Sequence, residues 1–201
     1  INTDDKKLVN ELFEKISSSS SEVSGAVFIA EEPKDASYDH NKEMVFKFND
    51  LEHKGSFLAL RVEGDKISID EKIKALTDEL ELNKLNKTIL DVHQSTPFWK
   101  KINNLELFKK TKNNLLRVVL PPSKGIKLMQ HLGNKYKYYI DWCGSLYWIE
   151  VQSKKNSKVS DIKKLTKELG GYLTIIKTSR EYDYEETIFT IDDTRLLISE
   201  K

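Results

Sequence analysis

The sequence predicts an α+β protein: a duplicated, ferredoxin-like arrangement, with an antiparallel or mixed sheet and helices packed on one face. Three observations lead there. Short strands alternate with amphipathic helices along the chain, the second half repeats the grammar of the first, and tight turns separate neighbouring strands. The 201 residues are read as one domain, residues 1–201, long enough to bury a sizeable core.

Each element has its own signal. Leu8, Val9, Leu12, Phe13 and Ile16 recur at the spacing of one helical face, so a helix is expected over 6–16, stopped by the serine run 17–21. Residues 23–30 (VSGAVFIA) read as a mostly buried strand, 44–48 as a weaker one, and 57–62 (FLALRV) as a strong one ending at the turn pair Glu63-Gly64. Ser68 and Glu71 have capping-box spacing ahead of Ile69, Ile73, Leu76 and Leu80. A short strand is expected at 88–92. Thr96 and Pro97 then form a cap and a first-turn proline for a helix carrying Phe98, Trp99, Ile102 and Leu105.

In the second half, 115–120 reads as a strand. Pro121-Pro122-Ser123 opens a short helix with Ile126, Met129 and Leu132 on one side, and Gly133 ends it. Residues 136–142 and 146–151 form a strand pair around Cys143-Gly144-Ser145. Ser157 caps a helix with Val159, Ile162, Leu165 and Leu169 inward, stopped by Gly170-Gly171, and 172–176 is the strand after it. The tail, 187–199, reads as a strand or turn and then a short helix or extended arm.

Composition narrows the function. The 33 basic side chains nearly cancel the 32 acidic ones, which argues against a nucleic-acid binder, since that task needs a clustered basic excess. Arginine occurs only at Arg61, Arg117, Arg180 and Arg195, so forked recognition of an anion has few sources. The single cysteine, Cys143, excludes an internal disulfide and suits a reducing compartment, so a cytoplasmic location is expected. No apolar run is long enough for a transmembrane segment.

The chemistry-bearing motifs are sparse. The 8 glycines include no GxGxxG or GxxxxGK[ST] arrangement, so no phosphate-cradling loop is visible. His40, His53, His93 and His131 are far apart, and no metal site is assigned. The carboxylate pairs Glu185-Glu186 and Asp192-Asp193 sit in polar stretches and read as solvated surface, as do the lysine pairs. The densest stretch is 138–149 (YYIDWCGSLYWI). One reading makes it an aromatic strand pair packed on helices, with Asp141 bonding turn amides; the other makes it an aromatic wall beside a flat ligand.

That stretch resembles a known family. Leu116-Arg117-Val118-Val119-Leu120-Pro121-Pro122, followed by Tyr139-Ile140-Asp141-Trp142-Cys143-Gly144-Ser145-Leu146-Tyr147-Trp148, is similar to the C-terminal (cap) domain of FAD-linked oxidases, and within them to the FAD-binding component of glycolate oxidase. Leu58 to Gly64 (LALRVEG), Pro97-Phe98-Trp99-Lys100 and Lys167 to Tyr172 (KELGGY) extend the resemblance, in order, over roughly residues 55–176. The sequence departs from the family at Cys143, where a turn glycine is usual, and after Asp193, where the family's asparagine-proline-glycine close does not follow.

The resemblance implies a ferredoxin-like cap over FAD, the flavin itself being held mainly by an N-terminal domain that this sequence does not include. It implies an FAD-dependent 2-hydroxy-acid oxidoreductase of glycolate type, with the chain covering the flavin and supporting electron transfer or subunit assembly. The expected partners are the other subunits of a glycolate-oxidase-like complex and a small 2-hydroxy-acid substrate, with the assembly cytoplasmic or peripheral to the inner membrane. Arg117 matches the family arginine and, with Asp141 and Trp142, makes the cofactor-facing set; Arg61, on a neighbouring strand, ranks below them. No residue is assigned a catalytic role, and the isolated chain is expected to be inactive. The alternative is a stand-alone ferredoxin-like module that binds a small ligand or a protein without catalysis.

Overall fold

The computed structural model describes residues 1–19, 21–34, 38, 55–152 and 156–179. The strand expected at 44–48 and the tail at 187–199 lie outside them, as do His40, His53, Arg180, Arg195 and the acidic pairs at 185–186 and 192–193.

Among the described residues, five α-helices and six strands follow in chain order: α1 (Lys6–Ser18), β1 (Val23–Ile29), β2 (Phe57–Val62), α2 (Ile69–Glu79), α3 (Val92–Asn103), β3 (Asn114–Val119), α4 (Gly125–Leu132), β4 (Lys137–Asp141), β5 (Leu146–Val151), α5 (Asn156–Glu168) and β6 (Tyr172–Lys177). The strands form one sheet in the order β2-β1-β4-β5-β3-β6, with each neighbouring pair antiparallel.

The second half is a β-α-β-β-α-β unit. Numbering its own strands one to four, their order in the sheet is 4-1-3-2, the split βαβ arrangement of a ferredoxin-like fold. β1 and β2 extend that sheet beyond β4, and α1 packs against it. The α+β class and the antiparallel sheet are therefore as the sequence predicts.

The helices are not all on one face. Alternate strand residues (Ala26, Phe28, Leu58, Leu116, Val118, Tyr138, Ile140, Tyr147, Ile149, Leu173 and Ile175) pack in one core with apolar residues of α1, α2, α4 and α5. The opposite strand positions (Val27, Ile29, Phe57, Leu115 and Tyr139) form a second, smaller core with Phe98, Trp99 and Ile102 of α3 and with Leu107 and Phe108. The physical cause is the unbroken apolar run Ala26-Val27-Phe28-Ile29. A strand hydrophobic on both sides needs cover on both.

Local capping corrects several boundaries. The strand expected at 88–92 does not form: Asp91 caps α3 in a capping box with Gln94, which places Pro97 inside the helix and not at its start. Asp91 outcompetes Thr96 because its carboxylate and the Gln94 amide satisfy each other's backbone donors. At α2, Ser68 makes no side-chain cap; Asp65 instead accepts from the Ile67 and Ser68 amides at 2.8 and 2.9 Å. Ser157 lies inside α5, which begins at Asn156. Gly171 is required by close approach, since a Cβ there would sit 2.6 Å from the Val119 carbonyl. Among the described residues, no helix is long and apolar enough to cross a membrane.

Candidate functional site

The β4–β5 connection is built on unusual backbone. Trp142 and Cys143 both have φ of 50° and Gly144 has φ of 92°, so three consecutive residues are left-handed. Only the glycine adopts that region without strain. Two hydrogen bonds hold the turn. Asp141 Oδ1 accepts from the Trp142 amide at 2.7 Å, and the Ser145 amide donates to the Trp142 carbonyl at 3.2 Å. The turn is tied to the exit of β3 by the Leu120 amide, which donates to the Ser145 carbonyl at 3.0 Å.

The consequence is an outward-facing indole. Trp142 is 57% exposed, and the Arg117 guanidinium lies over its ring, 5.5 Å from the centroid. Arg117 reaches it from β3, where it is paired with Trp148 of β5 and Thr174 of β6. Strand alternation places Arg117, Trp148, Thr174 and Asp141 on the same sheet face as the smaller core, with Trp148 packed against that core as its border. Burial pushes the Asp141 carboxyl above its ordinary range, with the Trp142 amide opposing the shift. Burial also raises the Cys143 thiol, against a hydrogen bond with the Ser17 side chain and together with the nearby Asp141 charge.

The structure thus brings Arg117, Asp141 and Trp142 together at one turn. Arg61 is elsewhere: on β2, the outermost strand of the sheet among the described residues, it pairs with Glu63 at 2.5 Å and lies 6.0 Å from the Trp99 ring centroid. His93 and His131 are exposed on separate helices, and among the described residues no group of three or more His, Cys, Asp or Glu side chains is placed to hold a metal. The two readings of the aromatic stretch divide by position. Tyr138, Tyr139 and Tyr147 are fully buried core residues, whereas Trp142 faces solvent.

One buried polar network leaves little trace in the sequence. Glu150 is wholly buried, and its Oε1 accepts from Thr111 Oγ1 at 2.5 Å and Asn113 Nδ2 at 2.7 Å. Across the strand pair from it is Lys137, 1% exposed, whose ammonium is 3.1 Å from Glu32. Lys177 donates to the Thr111 carbonyl. The available signal was a charged residue in the middle of each apolar strand, Tyr136-Lys137-Tyr138 and Ile149-Glu150-Val151. Alternation would have assigned both to the outer face, and only the unexpected cover on that face buries them.

Compared with known proteins, the chain matches no family model and no curated protein.

Proposed function

We propose that the chain is the cap domain of an FAD-dependent 2-hydroxy-acid oxidoreductase subunit of glycolate type, covering the flavin and supporting electron transfer or subunit assembly. The observation that carries the reading is the exposed Trp142 indole paired with Arg117 beyond the border of the smaller core, with the Asp141 carboxyl fixed beside it. The ferredoxin-like strand order of residues 114–177 supports it, since that is the arrangement the resemblance implies.

The residues fit such a group in part. A solvent-facing indole presents a flat apolar surface of the kind an isoalloxazine stacks on, and Arg117 supplies a fixed positive charge at its edge. The 8 glycines include no pyrophosphate-cradling motif, so this chain would contribute to the ring end of FAD and not to the phosphates. When bound, the flavin supplies the redox chemistry; the protein supplies orientation and electrostatics. Within that division Trp142 shields one side of the ring from water, Arg117 holds negative charge near it, and Asp141 keeps the Trp142 amide in place. The assembly would be cytoplasmic or peripheral to the inner membrane, built with the other subunits of a glycolate-oxidase-like complex.

The test is to purify the chain from its natural source with whatever accompanies it. The expected result is a yellow preparation that reduces a dye acceptor with a small 2-hydroxy acid, and that loses much of this turnover in Arg117→Ala while remaining folded. A colourless preparation without such activity overturns the proposal.

A further inference from the structure

We propose that the lysine-rich end of the smaller core, built from the last turn of α3 and the loop leading into β3, is a docking surface for a protein partner with an acidic face. Residues 100–112 hold five lysines, Lys100, Lys101, Lys109, Lys110 and Lys112, against one carboxylate, Glu106. The chain as a whole is nearly neutral, so positive charge is concentrated here and not spread evenly. Elsewhere Lys7, Lys72, Lys84 and Lys137 each lie 2.6–3.7 Å from a glutamate. In this segment Lys109 is paired with Glu106 at 3.1 Å, whereas among the described residues Lys100, Lys110 and Lys112 are exposed and make no ion pair.

The backbone beneath them is fixed. Leu107 and Phe108 are buried, the Phe108 ring stacks on Tyr139 with centroids 5.6 Å apart, and the Tyr139 hydroxyl donates to the Ile102 carbonyl at 3.2 Å. Thr111, between Lys110 and Lys112, is buried with its hydroxyl on Glu150, and its carbonyl accepts from Lys177, which brings a sixth ammonium to the loop. Lysines on so fixed a base lose little backbone freedom when a partner binds.

The chemistry of the patch selects that partner. Residues 100–112 carry no arginine, and so no fork for phosphodiesters. The large hydrophobic side chains exposed among the described residues are Ile67, Ile89, Val92, Trp142, Tyr172 and Ile176, none of them in this segment. A single-stranded nucleic acid would need exposed aromatic rings for its bases, and a bilayer would favour an apolar wedge among the lysines. What the patch exposes between its charges is Asn103 and Asn104, whose amides both donate and accept, as the carboxylates and peptide groups of a protein surface require. A polar surface of this kind steers an oppositely charged protein into place. Such docking is independent of whether the Trp142 turn faces a flavin.

Fluorescence anisotropy of labelled poly-L-glutamate with the purified full chain, at low and at physiological salt, tests the surface. The expected result is binding at low salt that weakens as salt rises. Lys109→Glu/Lys110→Glu/Lys112→Glu should lower the affinity by about tenfold or more, with an unchanged circular dichroism spectrum. Lys110→Glu/Lys112→Glu serves if the triple variant misfolds. The control Lys124→Glu/Lys127→Glu/Lys135→Glu changes net charge equally, at exposed positions around α4, and should bind as the wild type does. Equal losses in the two triple variants would mean that net charge alone acts, and would overturn the proposal. So would the absence of binding, or tighter patch-dependent binding to phosphatidylglycerol vesicles or to single-stranded oligothymidine. Salt-sensitive dimers lost in the patch variant would make the occupant a second copy, and would also overturn it.

Discussion

Thr111 Oγ1 donates to Glu150 Oε1 at 2.5 Å, joining the loop before β3 to the end of β5 inside the protein. The same hydroxyl oxygen accepts from the Asn113 backbone N–H at 3.0 Å, so one threonine organises both donors to the carboxylate. Thr111→Val keeps the shape and removes the hydroxyl. Because a buried carboxylate would lose a partner, the variant should be less stable by about 1–3 kcal/mol. Urea denaturation measures this, and an unchanged midpoint would show that the network contributes nothing.

The Arg117–Trp142 pair can be weighed by a double-mutant cycle. For a cation–π contact at a partly exposed site, the coupling energy should be about 0.5–1 kcal/mol. Arg117→Ala, Trp142→Ala and their combination should all fold, since neither side chain belongs to either buried core. Strict additivity of the three stability changes would mean the guanidinium merely passes over the ring.

Asp141 gives a pH dependence with a definite sign. Burial raises its folded-state pKa above the ordinary 3.8, so the folded protein binds this proton more tightly than the unfolded chain does. Its contribution is most favourable at acid pH and is lost as pH rises from 3.8 through the elevated folded value. Asp141→Asn keeps an acceptor for the Trp142 amide and removes the titration. Wild type should therefore lose stability relative to Asp141→Asn across that window, with a constant difference above it. Parallel stability curves in mildly acidic buffers would refute the assignment.

Cys143 occupies a conformation made for glycine. A left-handed L-residue costs roughly 1–2 kcal/mol, part of which glycine returns to the unfolded chain as entropy. Cys143→Gly should accordingly raise stability by up to about 1 kcal/mol. Cys143→Val, β-branched at the same φ, should lower it. Thermal midpoints ordered Gly, Cys, Val are the expected outcome; the reverse order would mean the thiol's contacts outweigh the backbone.

Much of this fold is legible from periodicity. The faces of α1, α4 and α5 follow from single apolar stripes, and the β4–β5 pair follows from its turn. What periodicity could not show was the second core. Phe98, Trp99 and Ile102 announce an amphipathic helix but not which side of the sheet it covers, and that choice decides whether Lys137 and Glu150 are solvated or enclosed. The candidate site divides in the same way. Arg117, Asp141 and Trp142 were legible as residues, but their meeting depends on the β3–β5 register and on the turn's left-handed backbone, and neither leaves a pattern in side-chain types. Cys143 and Trp142 in fact argue against that conformation. The tyrosines of the same stretch were ambiguous, and packing resolved them inward.

Because the turn is closed by main-chain bonds and by Asp141, the position of residue 142 does not depend on which side chain it carries. It acts as a socket. An asparagine would fit there with little strain, tryptophan is accommodated, and valine or isoleucine would be resisted by the backbone itself. Descendants of this sequence could thus exchange the group displayed opposite Arg117 while the sheet behind it stays unchanged. The range of replacements open to them is set by φ and not by the surroundings of the ring.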